Sequence, residues 1–155
     1  MRIVLQRVSE ARVHVGERLV DAIGPGYLLL VGVEAGDDRQ TARRLAAKVA
    51  ALRLFPGGEG RSFDRTLHDA GGSALVVSQF TLMGDVRRGN RPSWAGAAPP
   101  EAAEALIETV AEALRDAGVP VGTGEFGATM RVTLVNDGPV TLVLDSAALS
   151  GPRRE

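Results

Sequence analysis

The sequence predicts one α+β domain, mostly antiparallel strands with two long helices packed on them. Three observations carry this. Segments 2–33 and 130–145 are rich in β-branched and apolar residues with short-period patterning, whereas 37–53 and 99–117 place apolar residues at helical spacing. Turn signals at Gly24-Pro25-Gly26 and Asn136-Asp137-Gly138 suit antiparallel neighbours. The length of 155 residues fits a single domain, 1–155, without repeats or linkers. Gly57-Gly58-Glu59-Gly60 reads as a loop inside it.

In chain order, residues 2–8 and 11–15 read as strands, with Val13 and Val15 on one face, and 18–23 repeat the signal. Tyr27 to Val33 is a continuous apolar run of buried-strand type. The spacing predicts a meander. Asp37 and Asp38 open a helix to about Arg53, their charges suiting its dipole. Its buried stripe is Ala42, Leu45, Val49 and Leu52. Residues 73–82 read as another apolar strand, and 83–98 as a long loop. Pro99-Pro100 starts the second helix, where a missing N–H costs nothing. Ala103, Ile107, Val110 and Leu114 form its stripe, and Gly118 with Pro120 ends it. Met130–Val135 and Val140–Asp145 alternate around Asn136-Asp137-Gly138 and predict a hairpin.

Composition removes several chemistries. The chain has no cysteine, so disulfides, a thiolate nucleophile and cysteine-bound zinc are out. His14 and His68 are its only histidines, neither in a metal-ligand spacing, and no metal or cofactor is expected. Walker, Gly-x-Ser-x-Gly and His-Glu-x-x-His motifs are absent. Gln6 and Arg7 interrupt the N-terminal apolar run, and no stretch reaches a membrane span of ~20 residues, so a cytoplasmic protein is expected. A formal net charge of −1 lacks the basic surplus of a free-standing nucleic-acid binder. Any RNA contact must be a local patch.

Three segments carry more polar or backbone-special residues than their elements need. Ser78-Gln79-Phe80-Thr81 ends a hydrophobic strand with hydroxyls and an amide: a satisfied strand end, or a pocket floor whose backbone N–H groups face a ligand. Gly124-Glu125-Phe126-Gly127-Ala128-Thr129-Met130 sets a phenylalanine between glycines: an ordinary turn, or an aromatic for a base. Gly138-Pro139 puts proline where the returning strand should start pairing. Taken alone it favours a trans bond, since cis X-Pro occurs in about one case in twenty. A basic loop, Arg87-Arg88-Gly89-Asn90-Arg91-Pro92-Ser93-Trp94, is either solvated or suited to phosphate contact.

On these residues the chain resembles the D-aminoacyl-tRNA deacylase family, from Met1 to about Ser146. The shared pattern includes Gln6-Arg7-Val8, Ile23-Gly24-Pro25-Gly26, Leu52-Arg53 with Phe55, and Val77-Ser78-Gln79-Phe80-Thr81-Leu82. It continues through Gly89-Asn90-Arg91-Pro92-Ser93, Gly96-Ala97-Ala98-Pro99-Pro100, Phe126-Gly127-Ala128 with Met130, and Asn136-Asp137-Gly138-Pro139-Val140-Thr141. Ser62-Phe63-Asp64 and Trp94 depart from it.

The resemblance implies a barrel-like core and a homodimer that hydrolyses D-aminoacyl-tRNA and glycyl-tRNA as a translation proofreader. It implies catalysis at Ser78, Gln79, Phe80 and Thr81. It implies a cis Gly138-Pro139 bond that reaches the partner's pocket and rejects L-amino acids. Substrate binding falls to Arg7, Phe126, Gly127, Ala128, Met130 and Asn136, with Arg87, Arg88 and Arg91 toward the acceptor end of the tRNA; no DNA partner is expected. Two mechanisms stay open: water attack assisted by the 2′-OH, or Thr81 as a nucleophile, for which no base is evident. The rivals are a non-catalytic dimeric nucleic-acid-binding protein of the same fold and an esterase for free D-amino acid esters.

Overall fold

The computed structural model describes residues 1–150; the last five positions of the expected 1–155 domain lie outside the described residues. The strands are β1 (Arg2–Val15), β2 (Arg18–Ile23), β3 (Gly26–Gly32), β4 (Arg53–Phe55), β5 (Arg65–Thr66), β6 (Ser73–Ser78), β7 (Val121–Thr123) and β8 (Arg131–Asp145). The helices are α1 (Arg39–Ala51), α2 (Pro100–Asp116) and the short α3 (Ser146–Leu149). The fold is α+β, as the sequence predicts.

The sheet is built on β1, which is one strand of 14 residues where two were expected. Its first half lies between β3 and β8, and its second half between β2 and β8. β2 and β3 therefore take successive lengths of one edge of β1, and the expected meander does not form. From β3 the sheet continues by parallel pairing to β6 and then β7, so it is mixed. α1 lies in the crossover that makes the β3–β6 pair parallel, as such pairs require.

One sheet face, with Ile3, Leu5, Tyr27, Leu29, Val31 and Val76, packs against both helices in a single buried cluster. The opposite face, with Leu28, Leu75 and Val77, is covered by the curled second half of β1 and by apolar residues of β2 and β8. That curl makes the barrel-like core. Each fully buried Leu or Val contributes about 1.5–3 kcal/mol to holding it.

The helix ends differ from expectation in instructive ways. Asp38 is the N-cap of α1, its carboxylate accepting from the Thr41 amide at 2.7 Å. Asp37 stands outside the helix and accepts from the Met1 amine and the Glu34 amide, both at 2.7 Å. The helix stops at Ala51 because Arg53–Phe55 pair with Arg65–Thr66 in a second small sheet. Leu52 is the C-cap and only half-buried. In α2, Ala103, Val110 and Leu114 are buried as expected, but Ile107 is only partly buried. Among the described residues no helix is long and apolar enough to cross a membrane.

The hairpin expected at Asn136-Asp137-Gly138 is absent. Both flanking segments belong to β8 and pair with the same strand, β1: Val8 faces Asn136 and Gln6 faces Thr141. One residue on β1 thus opposes four on β8, and 137–140 are extruded as an exposed arm. A turn dipeptide signals that the chain leaves the ladder; it does not say whether the chain reverses or rejoins the same partner. The Gly138-Pro139 bond is cis, against the trans form the residues alone favour and as the family resemblance implies.

Candidate active site in two halves

Ser78 ends β6, paired with Val31 at the C-terminal end of parallel β3. The strand was expected to reach residue 82. It stops because β3 ends at Gly32 and offers no further partner, and Phe80–Met83 turn into a 3-10 helix. That turn lies across Gly32: a Cβ there would come 2.9 Å from Leu82 Cβ and 3.0 Å from the Gln79 carbonyl oxygen. Gly32 is thus a site residue the sequence reading missed, although a glycine interrupting the apolar run Tyr27–Val33 was its signal.

The turn exposes main-chain donors. The Gln79 amide donates to Val31 O at 2.8 Å and the Leu82 amide to Gln79 O at 3.1 Å. The amides of Phe80 and Thr81 start the turn, and neither donates to a backbone carbonyl among the described residues. The Gln79 side-chain amide donates to Thr81 Oγ1.

Two adjoining cavities open here. One, of about 300 Å³, is mainly apolar and runs between Ser78, Phe80, Ala98, Ile107, Phe126 and Gly127. The other, of about 240 Å³, is lined by Ser78, Gln79, Phe80, Gly127, Ala128 and Met130. The two sequence segments singled out at 78–81 and 124–130 therefore meet at one site. Ile107 escapes full burial because it walls this space. The N-terminal turn of α2 stands at the rim through Pro100 and Ala103, where the helix dipole favours negative charge. Loop 124–130 is braced from β2: Arg18 Nη2 donates to both Glu125 carboxylate oxygens at 2.9 and 3.0 Å, and Asp21 accepts from the Thr123 amide at 3.0 Å. His14 and His68 line neither cavity.

Arg7, Asn136, Gly138 and Pro139 form a separate group. Arg7 donates through Nε to Asp137 O at 2.8 Å and through Nη1 to Leu54 O. Asn136 closes the base of the arm, accepting from the Val140 amide at 3.0 Å and donating to Thr141 Oγ1 at 3.1 Å. Gly138 sits at φ +150°, and a Cβ there would meet the Val140 nitrogen at 2.7 Å. Arg7 is backed by Tyr27, which stacks on Phe55 with ring centroids 5.3 Å apart. The buried Tyr27 hydroxyl has no hydrogen-bond partner among the described residues. Burial pushes its phenol above the ordinary range, and Arg7 partly opposes this.

The halves do not meet within one chain. Ser78 is level with Val31 and Ile3, whereas the arm leaves the ladder beside Arg7, three strands across and four residues along. That is a separation on the order of 20 Å over the sheet.

The arginine loop is closed by reciprocal backbone bonds between Asp85 and Ser93, 2.7 and 2.9 Å. Arg87 is held by the Asp85 carboxylate at 2.9 and 2.6 Å, and hydrogen bonding to Arg87 holds the Asp85 carboxyl down to about 2.

Residues 4–145 match the family model described as D-Tyr-tRNA(Tyr) deacylase. The chain is 63% identical over 151 residues to the D-aminoacyl-tRNA deacylase of Thermomicrobium roseum, covering 97% of each. It is 58% identical over 155 residues to that of a Roseiflexus species, covering 100% of this chain and 99% of the relative. Among solved structures it superposes on a c-Myc DNA unwinding element binding protein with a TM-score of 0.86 at 36% identity, over 94% of this chain and 98% of that one. A probable eukaryotic D-amino acid tRNA deacylase shares the fold, with a TM-score of 0.77 at 17% identity over 92% and 97% of the two chains. Full-length similarity and the matched family model together lead to one conclusion: this chain belongs to the D-Tyr-tRNA(Tyr) deacylase family.

Proposed function

We propose that the protein hydrolyses the ester of D-aminoacyl-tRNA and of glycyl-tRNA, using the cavity at Ser78–Thr81 of one copy and the Gly138-Pro139 arm of a second. The observation that carries this is the separation of the two halves: an exposed, braced arm stands far from its own chain's cavity. The outer edge of β8 supports a second copy. Among the described residues β8 pairs only with β1, and beside the arm it exposes Val135, Leu142 and Val143, the last 65% accessible.

An aminoacyl ester is already activated, so the protein's task is to place it and stabilise the developing oxyanion. The amides of Phe80 and Thr81, which donate to no backbone carbonyl among the described residues, serve that role, each such donor contributing about 3 kcal/mol. The terminal adenosine occupies the apolar space beside Phe126, Gly127, Ala128 and Met130, and its 2′-OH assists the attacking water. Thr81 is disfavoured as a nucleophile, because its hydroxyl accepts from Gln79, itself no base. The arm's Gly138 carbonyl receives the substrate's α-amino group. A D side chain then points outward, and an L side chain meets Pro139; glycine has nothing to clash. Arg7 and Asn136 act by holding the arm, and Arg88 and Arg91 face the acceptor end.

Deacylation of matched D- and L-tyrosyl-tRNA tests this. The D ester should be released far faster; equal rates, or none, would overturn the reading. Absence of turnover with retained RNA binding would favour a binding protein, and equal turnover of free D-tyrosyl ester a general esterase.

A further inference from the structure

The indole of Trp94, the chain's only tryptophan, lines neither of the two cavities. It is 41% accessible and makes an edge-to-face pair with Phe80, itself 56% accessible, at 5.7 Å and 66°. Both rings keep exposed aromatic surface in this pair, and Phe80 lines the cavity. The position is fixed from both sides. The Asp85–Ser93 backbone pair closes the loop before it, and the Ala97 amide donates to Trp94 O at 3.0 Å after it.

Charge is graded along the same line. Arg87 is tied to Asp85. Arg88 and Arg91 are exposed at the loop tip, and neither has an ion-pair partner among the described residues. Phe80 lines the cavity, Trp94 pairs with Phe80, and the loop that carries Arg88 and Arg91 closes at Ser93, the residue before Trp94. A single RNA strand with its terminal base in the cavity presents the same order: next base, then backbone phosphates.

We propose that Trp94 is the stacking ledge for the penultimate base of the tRNA 3′ end, with Arg88 and Arg91 on the phosphates beyond it. This rests on the reading of the cavity as the seat of the terminal aminoacyl-adenosine. A π-face tolerates any base, so the ledge adds affinity without adding sequence preference.

The sole tryptophan makes the test direct. The intact protein is titrated with deacylated tRNA while Trp94 fluorescence is followed. Unmodified tRNA should quench the emission, and tRNA with an abasic penultimate position should fail to quench and bind about tenfold more weakly. Trp94→Ala should cost a similar factor in filter binding to unmodified tRNA, and Trp94→Phe less. Joint replacement of Arg88 and Arg91 by Ala should lower the log–log salt slope of binding by ~1.4. Equal quenching by both RNAs, or none by either, overturns the proposal. So does emission that responds only to protein dilution, which would place the indole in a contact between copies. None of these readouts requires turnover, so a failed deacylation assay with intact quenching would reject the catalytic reading and keep the ledge.

Discussion

Replacing Arg7 by Ala should uncouple the arm from the sheet while leaving the cavity intact. The guanidinium donates to Asp137 O at 2.8 Å, one residue before Gly138, and to Leu54 O in the small sheet. It touches neither cavity at 78–81. A hydrogen bond from a charged donor contributes about 1.5–3 kcal/mol net. Losing that much preference for the braced pose lowers its population about 10- to 100-fold wherever the pose is only just favoured. The expected result is a fall of that size in kcat/KM for D-tyrosyl-tRNA, with secondary structure retained and tRNA binding little changed. Arg7→Lys cannot span both carbonyls and should fall between. Single-turnover deacylation with excess enzyme reads the effect. Activity within twofold of wild type, or a loss matched by equal loss of tRNA binding, would refute the claim that Arg7 acts through the arm.

Three further outcomes are expected. Gly32→Ala sets a Cβ within 3.0 Å of the Gln79 carbonyl and displaces the 79–83 turn; kcat should drop on the order of 100-fold while tRNA binding survives, as measured by single-turnover rates beside filter binding. Tyr27→Phe removes a buried hydroxyl without a partner among the described residues and should leave Tm unchanged or higher by calorimetry. In the wild type the raised Tyr27 value means stability is full below pH 10.0 and declines as pH rises beyond it, a limb the Phe variant should lack. Asp85→Asn frees Arg87: RNA affinity should rise and its salt slope steepen by ~0.7. Because the folded Asp85 value is depressed to about 2, its contribution is complete above 3.8 and lost only as pH falls toward 2. Loop-mediated affinity should therefore be flat across neutral pH.

Most elements were legible in the sequence because they follow from local pattern. The apolar stripe of α1, the prolines that start α2 and the run Tyr27–Val33 each declare themselves over a few residues. The segments at 78–81 and 124–130, which meet at the two adjoining cavities, stood out for the same reason: polar atoms and glycines stood where an element of that type needs neither. Partner choice was not legible. The two halves of β8 look like a hairpin, and only the common partner β1 makes them one strand with an arm. The end of β6 is set by where β3 stops, which residues 73–82 do not encode. Arg7 and Asn136 could be selected by family resemblance, but the bonds they make at the base of the arm depend on Leu54 and Thr141 brought in from elsewhere.

If one catalytic site needs two copies of the chain, two variants that are each inactive should complement one another when mixed. Gly32→Val cripples the cavity half, and Gly138→Val, at φ +150° with no room for a side chain, cripples the arm half. Each homogeneous variant should be inactive on D-tyrosyl-tRNA. Unfolded and refolded together, they should regain about a quarter of wild-type sites, because half of the dimers are mixed and each mixed dimer joins one intact cavity to one intact arm. A mixture no more active than its components, with both variants folded and associated, would contradict a site built from two copies.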